Sequence, residues 1–187
     1  MRRAVLALKC CCLVVLMSHF ELDAQSARRT MRPLVRGTRH AVSSMKPEAT
    51  QAAEQILRAG GNAFDAAVAG QAVLALVDPS LNGYGGDAVL LVYDAKIRKV
   101  FSINAEGTAP RLATIDWYNK NYGGKLPVND TLLSGTVPGV VDAWYILLDR
   151  WGTMRFAEVP RPAIEIAEQG FPLPEGLARS IATARKL

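Results

Sequence analysis

Cysteine occurs only at Cys10, Cys11 and Cys12, and histidine only at His19 and His40. Past residue 27 there is no cysteine, which excludes a disulfide framework, a CxxC redox site and a thiolate metal site there. One remaining histidine excludes zinc as well. No GK[ST] triplet is present, so there is no P-loop. Basic residues are scattered except between Arg28 and Arg39, and aromatics make up 7% of the chain. A nucleic-acid footprint needs basic residues gathered on one face with aromatics between them, so no nucleic-acid partner is expected. The one long apolar stretch, Ala4 to Met17, is interrupted by Lys9 and is too short to cross a bilayer.

What remains is a 187-residue chain, 50% hydrophobic and 21% charged, with a net charge of +5. That suits one globular domain or a piece of a larger one. Arg2 and Arg3, the apolar stretch, and the small residues Ala24, Ser26 and Ala27 follow the order of a secretory signal peptide. Residues 1–27 then form the signal and 28–187 the mature chain, secreted or periplasmic. The alternative is a true start further along the frame. Lys9 stands before Cys10 where a lipoprotein signal requires a small residue, so no stable membrane anchor is expected.

His40–Met45 reads as a short strand. Pro47 opens a helix, where its missing N–H costs nothing, and Gly60-Gly61 closes it with a left-handed cap. Asn62 caps a second helix, AFDAAVAGQAVLALV, with Asp65 three residues on; capping alone accounts for both residues. This helix is apolar on most sides and is expected to be buried, ending at Asp78-Pro79. Residues 88–94, AVLLVYD, form a continuous apolar run that predicts a strand buried on both faces. Val100–Asn104 completes a hairpin. Residues 105–137 read as irregular. A helix follows within residues 134–152, with Val140, Val141, Trp144, Tyr145, Leu147 and Leu148 as its apolar side. Ala163–Glu168 is a further helix, and Ala182–Lys186 reads as helix in mid-course.

Residues 83–88, GYGGDA, pose the chemical question. A dinucleotide fingerprint runs strand, glycines, helix; here the order is helix, glycines, strand. Asp87 alone cannot supply the six or more oxygens calcium takes. The glycines therefore let the backbone pass close to something, either another part of the protein or a small substrate. Asp87 reads as a loop-stabilising hydrogen-bond acceptor.

Taken in order, the motifs at His40–Met45, Arg58–Ala69 (RAGGNAFDAAVA), Gly83–Ala95, Ser134–Val140 and Pro162–Pro172 resemble the γ-glutamyltranspeptidase (glutathione hydrolase) family. The resemblance covers residues 37–175. It implies an α/β N-terminal nucleophile hydrolase fold, an αββα sandwich that is incomplete in this chain. It also implies a precursor that cuts itself into a large and a small subunit. The new N-terminal threonine attacks a γ-glutamyl amide, its own amine serving as base, and passes the acyl group to water or an amine. No threonine here lies in that nucleophile context, so no catalytic residue is expected in the chain. The expected partners are a small γ-glutamyl or acyl-amide substrate and the C-terminal region with its small subunit; no cofactor and no metal are expected.

The family's α-carboxylate arginine stands just before an Ala-Pro pair. Here that stretch is Glu106-Gly107-Thr108-Ala109-Pro110-Arg111, which puts Glu106 or Thr108 at the arginine's place. Glu106 would repel a carboxylate, and Thr108 would forgo a charged hydrogen bond worth roughly 1.5–3 kcal/mol. Arg111, past the proline, is either a substitute anchor or a solvated arginine. The acyl specificity is thus open between γ-glutamyl and a different acyl group on the same fold. A truncated, non-catalytic product is the third reading.

Overall fold

The computed structural model describes residues 36–126 and 132–184. The signal segment 1–27, the lead-in to residue 35 and Arg185–Leu187 lie outside the described residues. The chain divides into a unit ending at Ala41 and a second from Val42 to Leu187. Of the first, the described residues 36–41 are irregular. Among the described residues, all the regular structure lies in the second.

The strand expected at His40–Met45 does not form. Residues 40–44 are irregular and Met45-Lys46 bends into the first helix. The Ser44 hydroxyl donates to the Lys46 carbonyl at 2.7 Å and shares a 2.8 Å bond with the Thr50 hydroxyl, so this stretch serves the helix entry instead of a ladder.

Helix α1 (Pro47–Arg58) begins on its proline as expected. Gly60 takes a φ of +96°, with Gly60 N–H bonded to the Leu57 carbonyl and Gly61 N–H to the Ile56 carbonyl. That pair of bonds is a Schellman stop. Helix α2 (Ala63–Val77) runs through the core of the second unit, with Ala66, Val68, Ala69, Ala72 and Val73 buried. Small residues bring α1 and α2 together: a Cβ on Gly70 would lie 3.3 Å from the Ala49 carbonyl oxygen and 3.5 Å from the Ala53 Cβ. Helices α4 (Val140–Trp151) and α5 (Arg161–Gln169) pack on α2 as well. Tyr145, expected on the apolar side of α4, is exposed and stacks on Phe156 at 3.9 Å; Ala143 is buried in its place. A last helix, α6, spans Glu175–Ala184.

Strands β1 (Val89–Asp94) and β2 (Lys99–Asn104) form an antiparallel hairpin with Val89 opposite Asn104 and Asp94 opposite Lys99. Asp94 accepts the Lys96 and Ile97 amides in the turn, and Arg98 takes the left-handed conformation. One face of the hairpin joins the core through Leu90, Val92, Phe101 and Ile103. The other leaves Val89, Leu91, Tyr93 and Val100 exposed. The expected burial of β1 on both faces is therefore not met among the described residues, because no second layer covers this face. Asp94 Oδ2 also accepts the Trp151 indole N–H at 2.9 Å, tying the hairpin to the end of α4.

Residues 105–137 are not wholly irregular. They contain helix α3 (Ile115–Tyr122) and a 3₁₀ turn at Leu132–Ser134. Helix α3 is capped by the Thr114 hydroxyl and stopped by Gly123 at φ +58°. Among the described residues no helix is long and apolar enough to cross a membrane.

Candidate functional site

Three loops meet at the glycine motif. Tyr84 anchors the first: its ring sets its edge against Trp144 at 5.8 Å and its hydroxyl donates to the Ala72 carbonyl. Partial burial pushes the Tyr84 phenol above its ordinary pKa. The Gly86 carbonyl then accepts N–H groups from Gly139 (3.3 Å) and Val140 (3.2 Å), at the start of α4. Asp87 Oδ1 accepts the Gly107 N–H at 2.7 Å and the Thr136 hydroxyl at 3.3 Å. The Val137 N–H closes the figure by donating to the Thr108 carbonyl at 2.9 Å.

Asp87 is thus a loop-stabilising acceptor, as its sequence suggested, but its partners lie 20 and 49 residues away. The glycines do not all behave as expected. A Cβ on Gly83 or Gly85 would meet nothing within 4 Å, so tight packing within this chain does not explain them. The close approaches fall instead on Gly107, whose Cβ would lie 2.1 Å from the Val137 carbonyl oxygen, and Gly139, 2.4 Å from that of Ala105. Two backbones cross there, and only glycine leaves room.

Beside this junction lies a depression of about 300 Å³ whose lining includes Asn104, Glu106, Thr108, Pro138, Asp142 and Ile146. Glu106 and Thr108 therefore share one site, and Arg111 is not part of its wall. Arg111 is exposed in the turn that follows Pro110. Asp142, in the first turn of α4, adds a second carboxylate. It was missed in the sequence because an acidic residue in a helix's first turn is explained by the helix dipole alone. Among the described residues, no lysine or arginine lines the depression. Such a wall suits a neutral or cationic group and repels a carboxylate.

On the other side of Thr108 the chain enters an apolar cavity of about 410 Å³, walled by Ala109, Pro110, Ile115, Tyr118, Leu126 and Leu133 among others. A third, polar hollow of about 320 Å³ lies along the glycine loop, where the Gln71 amide donates to Asn82 at 3.1 Å. Among the described residues no three His, Cys, Asp or Glu side chains gather as a metal would require.

The family pattern described as Gamma-glutamyltranspeptidase matches residues 49–187. The chain is 35% identical over 144 residues to the glutathione hydrolase proenzyme of Bacillus subtilis (strain 168), covering 75% of this chain and 24% of that protein. It is 38% identical over 143 residues to the acylase ACY 1 proenzyme of Pseudomonas sp. (strain V22), covering 72% of this chain and 25% of that protein. Its structure is similar to the crystal structure of Helicobacter pylori gamma-glutamyltranspeptidase, with a TM-score of 0.73, 28% identity, and coverage of 82% of this chain and 44% of that one. The chain spans about a quarter of the length of the curated relatives it matches.

Proposed function

Since the chain belongs to the gamma-glutamyltranspeptidase family and carries an incomplete α/β part of its N-terminal nucleophile hydrolase fold, we propose that it forms the N-terminal portion of the large subunit of a secreted amide hydrolase whose acyl group carries no anchoring α-carboxylate. The threonine nucleophile and its subunit come from polypeptide beyond this chain. The threonine hydroxyl adds to the amide carbonyl, the amine departs with a proton, and water releases the acid. The chain's own contribution is the wall of the acyl site.

One observation carries the choice of acyl group. The depression lined by Glu106 and Thr108, the stretch that the resemblance sets beside the family's arginine, holds Glu106 and Asp142 and, among the described residues, no cation. A substrate carboxylate about 5 Å from one of these would be repelled by roughly 1–3 kcal/mol, depending on local screening. An arginine there would give attraction of similar size, so the sign of the interaction is reversed. A relative named as an acylase, and not as a glutathione hydrolase, is in keeping with a different acyl group. The order of basic, apolar and small residues before position 28 supports export, which N-terminal sequencing of the exported protein tests.

The test of activity uses the complete polypeptide with its downstream region. Hexanoyl and γ-glutamyl p-nitroanilides are compared by kcat/KM. A preference of tenfold or more for the hexanoyl compound is expected, with Glu106→Arg narrowing it. Preference for the γ-glutamyl compound in the unaltered protein would refute the reading.

A further inference from the structure

We propose that the cavity under Ala109 and Pro110 is a subsite for an apolar acyl side chain, aliphatic or aryl. The assignment rests on the neutral-acyl reading of the site and extends it to a substrate class.

Position comes first. Thr108 lines the polar depression, and the next two residues, Ala109 and Pro110, line the apolar cavity. Thr136 and Val137 divide in the same way, Thr136 facing the cavity and Val137 the depression. The two hollows are therefore the two sides of one double wall. Two residues of chain span at most about 7 Å, so the two hollows are separated by no more than the length of a short acyl tail.

Chemistry comes second. Among the described residues, the lining contains no Asp, Glu, Lys or Arg. Ile115, Leu126, Leu133, Ala113 and the Tyr118 ring supply its surface, and Asn119, Ser134 and Thr136 its few polar side chains. At about 410 Å³ it lies in the range of small-molecule cavities, which are mostly apolar with a few polar groups. Ile115 and Leu126 are well exposed, so a ligand tail has apolar surface left to cover.

The walls are also fixed in advance. The Tyr118 hydroxyl donates to the Leu133 carbonyl, joining α3 to the 3₁₀ turn across the cavity. Its ring meets Trp117 edge-on at 5.1 Å and lies against Tyr122 at 6.2 Å. Asp87 holds both neighbouring strands of the wall through Gly107 and Thr136. A pre-formed wall spares the ligand the entropy of ordering it.

The experiment is methyl, indole and backbone-amide NMR on the complete polypeptide, titrated with phenylacetamide, hexanamide and, as the carboxylate-bearing comparison, glutamine. Saturable shifts at the Ile115, Leu126 and Leu133 methyls and the Trp117 indole are expected with both apolar amides. Ala113→Phe, which fills the cavity, and Ile115→Asn, at an exposed position that spares the core, should each weaken binding at least tenfold with well-dispersed spectra. Shifts confined to Thr108 and Asp142 would leave the neutral-acyl reading standing and overturn the subsite. Shifts confined to Val89, Leu91 and Tyr93 would also overturn it. Tighter binding of glutamine than of hexanamide at Thr108 and Asp142 would overturn the neutral-acyl reading and the subsite with it.

Discussion

Thr153 gives both its amide and its hydroxyl hydrogen to the fully buried carboxylate of Asp65, at 3.0 and 2.6 Å, across 88 residues of sequence. The same carboxylate accepts the Asn62 amide at 2.8 Å as one half of a capping box, and the Met154 amide at 3.3 Å. Asp65 therefore both starts α2 and fastens the loop that leaves α4. Asp65→Ala would orphan several buried donors at once and should destabilise the protein by about 3 kcal/mol or more, read from denaturant midpoints. A loss under 1 kcal/mol would mean that capping is all it does.

The loop junction gives a contrast among glycines. Gly107→Ala and Gly139→Ala each drive a methyl into a backbone carbonyl and should lower the thermal midpoint by several degrees. Gly83→Ala and Gly85→Ala meet open space and should leave it nearly unchanged. Equal effects from both pairs would contradict this assignment of where the chain crosses itself.

Asp87→Ala should free the Gly107 amide and the Thr136 hydroxyl together. The pair is exposed, so the expected loss is only about 1 kcal/mol. The sharper readout is local: hydrogen exchange at Gly107 should accelerate while exchange at Val92 and Ile103 stays slow. Unchanged exchange at Gly107 would remove Asp87 from its positioning role.

Acid should loosen the hairpin from α4. The Trp151 indole N–H, with the Lys96 and Ile97 amides, holds the Asp94 carboxyl below its ordinary pKa. A depressed native pKa contributes stability above the unfolded value near 4, and that contribution is lost as pH falls through the native value. Stability should therefore decline with a Trp151 fluorescence change below about pH 4. Asp94→Asn should flatten this acid limb. Glu158, lowered chiefly by its hydrogen bond to Arg155, titrates in the same direction, so Glu158→Gln is the control that should leave the Trp151 signal in place.

The uncovered hairpin face, with Leu91 at 77% exposure, should make the chain self-associate when it is made alone. Leu91→Lys should reduce that association in light scattering without altering the buried face.

The helices were legible wherever short-range signals agreed. Pro47 marks a helix start by its missing N–H, and Gly60, Asn62 and Asp65 mark boundaries through hydrogen bonds to near neighbours. Thr153 as the second partner of Asp65 was not legible, since nothing local requires a partner so far away. The run 88–94 showed that β1 is apolar, yet composition cannot reveal whether a covering layer is in the same stretch of chain. Helix α3 escaped notice because IDWYNKNY is short, aromatic and rich in asparagine; its Thr114 cap and aromatic contacts define it more than any apolar period. Glu106 and Thr108 could be placed together from sequence, whereas Asp142 joins them only through the crossing at Gly139.

The bond from Val137 to Thr108, beside the Asp87 bonds to Gly107 and Thr136, closes a neck. The described residues between Thr108 and Val137, those of α3 and of the apolar cavity included, belong to an excursion that leaves the core and returns to the same place. Lengthening such a closed excursion is entropically mild, because closure entropy grows only logarithmically with length. The core helices and the Asp87 junction can thus stay constant while the contents of the excursion are exchanged. A scaffold of this kind could be re-aimed at new acyl groups by changing one peripheral cassette.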